Sequence, residues 1–368
     1  MLSTSPLRNA SAVVTNLHPR YAGVSATVRA LVPLQQERQP TAVLDWGKLE
    51  LSGTIGLRDL LRFGWAPPAG QTHRIWHARR AGELLLGLVL RAIGQPWRFV
   101  YTSPSPRRHG AWWRAIVNRA DAVIAVTERA ASFLDSHTAV IPHGVDTRVF
   151  TPPACKRAAW RASGLPGSYG IGLFGRIRKA KGTDLFVDAM CSVLPRHPEF
   201  TAVMTGLCKP RDRAFKLELE ERIAAAGLRD RCVFLGDLNG AAIRTWYQRV
   251  SLCAAPARSE GFGLTPLEAM ASGAAAVTSR EGFFPALIVP GVNGSIVDTG
   301  DAQALGRAVE ELIRDPEALL ALGARARADV VANHSIEVEV ARILEVYAGL
   351  GVAPAARAPG LERTRPNR

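Results

Sequence analysis

The chain has 368 residues, of which 47% are hydrophobic, and 46 Lys and Arg outnumber 32 Asp and Glu to give a net charge of +14. This length suits two domains of ordinary size, and the apolar content excludes a disordered or fibrous chain. No apolar run reaches the ~20 residues that a membrane span needs, and the five cysteines lack the Cys-x-x-Cys spacing of a zinc site.

Charge is distributed unevenly along the chain. Residues 1–165 contain 21 Lys and Arg against 9 Asp and Glu, whereas residues 166–350 contain 21 against 22. We therefore expect the first half to face an anionic partner, such as nucleic acid, a membrane surface or a phosphorylated lipid. The N-terminus has no basic segment followed by an apolar one, and scattered cysteines are typical of a reducing compartment, so we expect a cytoplasmic protein.

Short apolar runs alternate with helical patterns throughout, which predicts βαβ units and parallel sheets. In the first half, helices are predicted at Val24–Leu34, after a loop at His18–Gly23, and at GELLLGLVLRAIG. The predicted strands of this half are SAVVTNL, HRIWHA, WRFVYTS, DAVIAVT and TAVIPHG.

A Pro- and Gly-rich segment from Thr147 to Ser168 has no strand pattern and predicts the domain boundary. We expect an N-terminal domain at 1–165, a C-terminal domain at 166–335, a helix at 336–350 that packs back on the first domain, and a disordered basic tail at 351–368. In the second domain, helices are predicted at TDLFVDAMCSVLP and KLELEERIAAAG. The predicted strands are YGIGLFG, FTAVMTG, CVFLGD, SLCAAPA and AAAVTS.

The segment RSEGFGLTPLEAMASG carries two carboxylates on either side of a predicted helix start. Thr265 is predicted to be the N-cap, Pro266 the first helical residue and Glu268 the third, which together form a capping box. Gly261 and Gly263 would let the backbone approach a ligand, and the free amides of the helix start favour a pyrophosphate. The alternative is that Glu268 only caps the helix and that the loop carboxylate before it, Glu260, is solvated.

A second motif, GLFGRIRKAKGTD, leads from a strand through a cationic turn into a helix. Doubly wound sheets bind ligands at the carboxyl ends of their strands. We therefore predict that Arg176 and Lys181 neutralise a diphosphate leaving group, and assign Arg178 and Lys179 to solvent.

The segment SEGFGLTPLEAMASG resembles the signature of retaining, nucleotide-sugar-dependent glycosyltransferases of group 1 (family 4). IPHGVDTRVF, FGR…KG and PGVNGSIVD are similar to further landmarks of that family, in the same order. HARRAGE, TSPSPRRH and GTDLFVDAM are most similar to lipopolysaccharide core mannosyltransferases. The resemblance implies the GT-B fold, an α/β architecture of two Rossmann-like, doubly wound parallel-sheet domains that face each other across a cleft.

The resemblance also implies roles for matching positions. Glu260 would hold hydroxyl groups of the donor sugar, close to the backbone of a short segment that enters the helix. Glu268 would bind the ribose. The remaining implied donor-site residues are Arg176 and Lys181 at the diphosphate, Gly23 in a glycine turn of the N-terminal domain, and Phe262, Gly263, Leu264 and Thr265 along that segment.

These enzymes generally use no catalytic metal and no cofactor besides the nucleotide sugar, and this chain has no Asp-x-Asp. It departs from the family at Thr102 and Ser103, where a His is usual. His109 is the candidate to take over that contact with the donor sugar, with His77 as the other candidate.

The resemblance assigns the acceptor to the basic N-terminal domain, where we expect a phosphorylated lipid or an anionic leaflet. Interfacial tryptophans among arginines are typical of a membrane-binding helix. Besides the tryptophans at 112 and 113, a second candidate for insertion into the membrane is the segment LLRFGWAPPAG, with Phe63 and Trp65. The alternative is that these tryptophans are core residues and the arginines a solvated face. The predicted membrane and acceptor residues are Arg107, Arg108, Trp112, Trp113 and Arg114.

The leading hypothesis is a retaining glycosyltransferase that moves mannose from GDP-mannose to a lipid-linked anionic saccharide of the lipopolysaccharide core. The enzyme would be peripheral on the inner face of the cytoplasmic membrane. The alternatives are a UDP- or ADP-sugar donor, a soluble acceptor, or an inactive scaffold. A basic nucleic-acid-binding protein is also an alternative, but the chain shows neither zinc-finger spacing nor an RNA-recognition motif, so no nucleic acid is expected.

Overall fold

The computed structural model describes residues 5–19, 23–104 and 107–352. The chain divides into two compact units. Unit 1 comprises the described residues up to Ala125, Ala130–Ile141 and the described residues from Val340 onward; unit 2 comprises Val126–Arg129 and Pro142–Glu339. The predicted boundary at 165/166 therefore lies inside unit 2. Residues 353–368, most of the predicted tail, lie outside the described residues.

The boundary differs from the prediction because the Pro- and Gly-rich segment packs on unit 2. Trp160 is fully buried, and a Cβ on Gly170 would lie 2.2 Å from its ring. The buried Lys156 ammonium donates over 2.8 Å to each of the carbonyls of Val250 and Ser272. A segment without strand pattern thus belongs to the core of the second unit.

Unit 1 contains a seven-stranded parallel sheet in the order β3-β2-β1-β4-β5-β6-β7. The strands are β1 (Ala12–Asn16), β2 (Thr41–Asp45), β3 (Thr54–Ile55), β4 (Arg74–Ala78), β5 (Trp97–Ser103), β6 (Ala122–Ala125) and β7 (Ala139–Val140). The helices in this part of the chain are α1 (Gly23–Arg38), α2 (Leu57–Phe63), α3 (Ala81–Ala92), α4 (Ala111–Val117) and α5 (Glu128–Ala131).

Alternate residues of the first sheet face two different helix layers. Val14 and Val43 pack on one face with Val28 and Val32 of α1. The other face, which includes Val13 and Leu44, packs against residues of α2, α3 and α4. Unit 1 is therefore doubly wound.

Unit 2 contains a six-stranded parallel sheet in the order β10-β9-β8-β11-β12-β13. The strands are β8 (Tyr169–Phe174), β9 (Phe200–Thr205), β10 (Cys232–Gly236), β11 (Val250–Ala255), β12 (Ala275–Ser279) and β13 (Gly294–Val297). The helices that follow α5 along the chain are α6 (Lys156–Arg161), α7 (Thr183–Val193), α8 (Arg213–Ala225), α9 (Gly240–Arg249), α10 (Leu264–Ala271), α11 (Phe284–Leu287), α12 (Ala302–Ile313), α13 (Pro316–Asn333) and α14 (Ile336–Gly349).

All ten strands predicted from the sequence are present, because buried parallel strands are continuous apolar runs. The predictions missed β2, β3 and β13. β3 has two residues and β13 begins with Gly294, so neither presents a run of apolar residues.

Candidate active site

The carboxyl ends of β8 and β11 are neighbours in the sheet of unit 2. The chain passes from β8 outward through β9 to β10, and from β11 outward through β12 to β13. The loops that leave β8 and β11 therefore diverge at a switch point, where open α/β sheets bind ligands. These are the β8–α7 loop (residues 175–182) and the β11–α10 loop (residues 256–263). Both charged motifs predicted from the sequence lie in these loops.

Arg258 joins the two loops. Its guanidinium donates to both carboxylate oxygens of Asp184, over 2.7 and 2.8 Å, and to the carbonyl of Lys179 over 2.8 Å. Its backbone N–H donates to the carbonyl of Ala180 over 2.9 Å. Sequence reasoning missed this pair, because Arg258 and Asp184 lie 74 residues apart and neither shows a local pattern.

Glycines allow the loops of this site to touch. Gly182 has a φ of 72°, and a Cβ there would lie 2.0 Å from the carbonyl oxygen of Pro256. Gly206, after β9, has a φ of 141°, and its Cβ would lie 2.1 Å from the carbonyl oxygen of Gly175. A side chain at either position would force the loops apart.

Lys181 and Glu260 form an ion pair between the two loops. The second carboxylate oxygen of Glu260 accepts a hydrogen bond from the N–H of Gly261 over 2.9 Å. The Lys181 and Glu260 side chains are 18% and 15% exposed, so solvent reaches both groups. The structure thus brings together two residues that were predicted separately.

The glycines around Glu260 have different uses. A Cβ on Gly263 would lie 2.2 Å from the ring of Phe284, and a Cβ on Gly282 would lie 3.0 Å from the Glu260 side chain. Gly261 has open space around the position of a Cβ. The predicted close approach of a ligand therefore suits Gly261, whereas Gly263 is required by packing within the protein.

Two arginines lie in the β8–α7 loop, and one of them, Arg178, is close enough to Glu260 to feel its charge. Arg176 is exposed and forms no ion pair within the described part of the chain. The Nε of Arg178 is buried without a hydrogen-bond partner among the described residues. Burial and the neighbouring Arg176 lower the pKa of Arg178, while Glu260 acts in the opposite direction. The assignment of Arg178 to solvent is therefore wrong.

Glu268 projects from α10 and accepts a hydrogen bond from the Tyr247 hydroxyl over 2.6 Å. Part of the side chain is exposed, but protein atoms crowd the carboxyl group, and this desolvation raises its pKa to about 7. The hydrogen bond from Tyr247 lowers the pKa and only partly offsets the burial.

Helix α10 begins earlier than predicted. Gly263, with a φ of 94°, precedes Leu264 as the N-cap, so Thr265 is the second helical residue. The predicted capping box is wrong, since Glu268 bonds to Tyr247. A glycine in the left-handed conformation supplies the turn into this helix without a side-chain cap. The first N–H groups of α10 still lack intrahelical acceptors and lie beside the β11–α10 loop.

Aromatic rings hold the segment between Glu260 and α10. The ring of Phe262 is buried and stacks on Phe283 at 4.8 Å, and its carbonyl accepts from the Phe283 N–H over 2.8 Å. His143 contacts the edge of Phe262, and its Nδ1 lies 3.0 Å from a carboxylate oxygen of Glu339. These contacts fix the backbone from Phe262 to Leu264.

The switch point of unit 1 lies between β1 and β4, where the buried Glu83 is the central group. Its carboxylate accepts hydrogen bonds from the Thr15 hydroxyl over 3.0 Å, the Leu17 N–H over 3.1 Å and the Arg79 N–H over 2.9 Å. It also pairs with the Arg80 guanidinium at 2.8 Å. Glu83 therefore ties the carboxyl ends of β1 and β4, a role that the sequence analysis missed.

Gly23 is the first residue of α1 and is exposed, with open space at the position of a Cβ. The preceding residues 20–22 of the predicted loop lie outside the described residues. His77 is fully buried, with Nδ1 2.6 Å from the Tyr347 hydroxyl and Nε2 2.7 Å from the Thr102 hydroxyl. A ring enclosed in this way cannot touch a donor sugar, so His77 is excluded.

His109 is half-buried and stacks on the ring of Trp113 at 3.9 Å. Its Nε2 is buried without a hydrogen-bond partner among the described residues. Burial and the neighbouring Arg107 lower its pKa. Trp113 packs edge-on against Tyr101 and contacts the core of unit 1. Trp113 is therefore partly buried against the core of unit 1.

The remaining predicted membrane residues lie on or before α4. Trp112 is 67% exposed, and Arg107 and Arg108 are exposed. Arg114 pairs with Asp135 at 3.0 Å.

In the described ranges, no three His, Cys, Asp or Glu side chains are grouped to hold a metal ion. No helix among the same residues is long and apolar enough to cross a membrane.

Comparisons with known proteins identify the family. Residues 162–329 match the model of the glycosyl transferases group 1. The chain is 42% identical to the lipopolysaccharide core biosynthesis mannosyltransferase LpcC of Rhizobium leguminosarum bv. viciae, over 94% of this chain and 97% of that protein. It is 40% identical to the lipopolysaccharide core biosynthesis mannosyltransferase LpsB of Rhizobium meliloti, over 94% and 99%.

Solved structures agree with this result. The C-terminal domain of LpcC from Francisella tularensis is 37% identical and superposes with a TM-score of 0.51, covering 52% of this chain and all of that one. Anabaena HepE, solved in complex with UDP, is 19% identical and shows the shared fold with a TM-score of 0.78, covering 92% of this chain and all of that one. The chain therefore belongs to the group 1 glycosyltransferases, and its two Rossmann-like parallel-sheet units are those of the GT-B fold.

Proposed function

We propose that the protein transfers mannose from GDP-mannose to a phosphorylated, lipid-linked saccharide of the lipopolysaccharide core, with retention of configuration and without a metal ion. The observation that carries this proposal is the cluster at the β8/β11 switch point. There Lys181 pairs with Glu260 shortly before the start of α10, and Arg176 lies in the same loop as Lys181. The relatives named above are core mannosyltransferases, which favours mannose and this acceptor class over a UDP- or ADP-sugar donor.

Each group of the cluster has a task in this reaction. Arg176, Lys181 and the first N–H groups of α10 would bind the diphosphate and neutralise the charge that develops as the bond from C1 to the phosphate oxygen breaks. These cations would take the place of a metal ion. Glu268 would accept hydrogen bonds from the ribose hydroxyls. Glu260 would accept hydrogen bonds from the mannose hydroxyls.

Retention follows if the acceptor hydroxyl attacks C1 from the face that the phosphate leaves. Its oxygen forms the new bond to C1, and its proton passes to the departing phosphate oxygen. Glu260 is then a positioning group and not a nucleophile. Its existing bonds to Lys181 and to the Gly261 N–H support that role, because they hold the carboxylate in one place.

The acceptor would bind at the carboxyl edge of the sheet in unit 1. Arg107 and Arg108 follow β5 on this edge and are exposed, and they precede His109, which stacks on Trp113. Exposed arginines suit phosphate groups. An acceptor of this kind is held in a bilayer, so the protein would act as a peripheral enzyme on the inner face of the cytoplasmic membrane.

The proposal is tested by incubating the purified enzyme with GDP-mannose and a lipid-linked core acceptor, with a chelator present, and measuring mannose transfer and the anomeric configuration. Glu260→Ala should abolish transfer while the protein stays folded, and the exposed Glu311→Gln on α12 is the matched control. Transfer from UDP-glucose but not GDP-mannose would refute the donor. Loss of activity with the chelator, or an inverted product, would refute the mechanism.

A further inference from the structure

Two helices of unit 1 present apolar side chains to solvent at regular spacing. On α2 and the turn after it, and again along α3, large apolar residues recur every fourth position. Each is between 40% and 54% exposed. Residues four apart lie on one side of a helix. These residues are Leu57, Leu61 and Trp65 on the first stripe and Leu85, Val89 and Ile93 on the second.

Both stripes point away from the same side of the sheet. Leu60 of α2 and Leu84 and Leu90 of α3 are buried in one core cluster against the sheet, so the exposed stripes lie on the opposite sides of these helices. The ends of the helices are joined, because the Gln95 side chain, just after α3, donates to the carbonyl of Leu60 over 2.9 Å. We call this surface the α2–α3 face.

Cations surround the first stripe. Arg8, Arg58 and Arg62 are exposed and form no ion pair within the described part of the chain. The guanidinium groups of Arg8 and Arg62 lie 4.7 and 5.2 Å from the centroid of the Phe63 ring. The nearby carboxylate of Asp59 accepts from the N–H of Gly56 over 2.9 Å. The surroundings of the apolar stripe are therefore positively charged.

We propose that the α2–α3 face docks on an anionic lipid bilayer. Apolar side chains among unpaired arginines match a bilayer surface, where the apolar groups enter the acyl boundary and the cations meet lipid phosphates. Trp65 suits the interface, since its ring is apolar and its indole N–H already donates to the carbonyl of Leu61. The inference rests on the proposed function in one respect, namely that a lipid-linked acceptor is reached at a membrane.

The proposal takes up the second of two membrane contacts predicted from the sequence, the segment with Phe63 and Trp65. The first centred on Trp112 and Trp113, but Trp113 packs on the core and Arg114 is paired with Asp135. Trp112 remains exposed on α4, which covers the same side of the sheet as α2 and α3. Trp112 belongs to neither of the two stripes.

The test is co-sedimentation of the full chain with vesicles of phosphatidylethanolamine and phosphatidylglycerol, compared with phosphatidylcholine vesicles. Combined Leu61→Ser and Val89→Ser should weaken binding to the anionic vesicles about ten-fold, because two apolar side chains no longer leave water. Combined Arg58→Gln and Arg62→Gln should weaken binding and reduce its sensitivity to salt. The matched control is Leu217→Ser with Val331→Ser, at exposed apolar positions of unit 2.

Thermal unfolding of each variant shows that it is folded. Equal binding by the test and control variants would overturn the proposal, as would binding to phosphatidylcholine as strong as to the anionic vesicles. If the protein self-associates without lipid and only the Leu61/Val89 variant loses this self-association, the α2–α3 face binds a second copy of the chain. That result would also overturn the proposal. Mannose transfer to an acceptor dispersed in detergent separates the docking proposal from the proposed function, because this assay does not require the protein to bind a bilayer. Intact vesicle binding without any mannose transfer would refute the proposed function alone.

Discussion

Replacing Glu268 by Gln is expected to stabilise the protein at alkaline pH. Burial raises the pKa of this carboxyl from 4.5 to about 7. Because the folded pKa is the higher one, the stability contributed by the protonated group is complete below the unfolded value and is lost as the pH rises through about 7. A shift of about 2.5 units corresponds to about 3 kcal/mol of unfolding free energy. A neutral glutamine of the same shape does not incur this loss.

Urea unfolding at pH values of about 5 and about 8.5 measures the effect. The Glu268→Gln variant should gain up to about 3 kcal/mol on the wild type between the two conditions, while its amide oxygen still accepts the Tyr247 hydroxyl. The same substitution at the exposed Glu311 on α12, Glu311→Gln, serves as the matched control. An equal difference between wild type and Glu268→Gln at both pH values would refute the reasoning. Weaker GDP binding by the stabilised variant would support the ribose contact.

Three further pairs of substitutions test contacts seen in the structure, and urea unfolding measures each variant. Arg258→Ala should cost about 2 kcal/mol, because it leaves the Asp184 carboxylate without its partner. Arg258→Lys should recover only part of this, since an ammonium cannot form the paired bonds, and full recovery would contradict the assigned geometry. Gly182→Ala should cost at least about 1 kcal/mol through its positive φ and the contact with Pro256, whereas Gly261→Ala should be nearly neutral, and equal costs would contradict the difference in space. Trp113→Ala should cost about 2 kcal/mol and Trp112→Ala less than about 0.5 kcal/mol, and the reverse order would contradict their burial.

The sequence predicted the elements that position the site, because the signals for them are local. Buried parallel strands appear as apolar runs, and a charged turn after such a run must lie at the carboxyl edge of the sheet. Lys181 and Glu260 could therefore be assigned to one edge. Their direct ion pair could not, since it depends on β8 and β11 being neighbours in the sheet order.

The errors share a physical cause, which is competition from tertiary contacts. The capping box at Thr265 and Glu268 is a local pattern, but Tyr247, on α9, captures the Glu268 carboxylate. Arg178 was assigned to solvent because lysine- and arginine-rich turns are commonly exposed, yet part of its guanidinium is buried near Arg176. The predicted domain boundary differs from the one in the structure because Trp160, which precedes the predicted boundary, packs in the core of unit 2.

In the proposed reaction, the ion pair between Lys181 and Glu260 couples binding of the donor's sugar to binding of its diphosphate. The Lys181 ammonium and the Glu260 carboxylate satisfy each other's charge. In the proposed reaction the diphosphate draws Lys181 toward its own oxygens, and the Glu260 carboxylate then needs new donors besides the N–H of Gly261. The mannose hydroxyls are those donors, so sugar binding is coupled to diphosphate binding.

GDP-mannose should therefore bind more tightly than GDP, by about ten-fold or more for each hydrogen bond to the Glu260 carboxylate. Glu260→Gln should remove most of this difference, because an amide is a weaker acceptor, while GDP itself binds as well as before or better because Lys181 is no longer held by a charge. Calorimetric titration of wild type and variant with both ligands measures the four affinities. If Glu260→Gln weakened GDP and GDP-mannose by the same factor, Glu260 would serve the diphosphate side of the site through Lys181 and not the sugar.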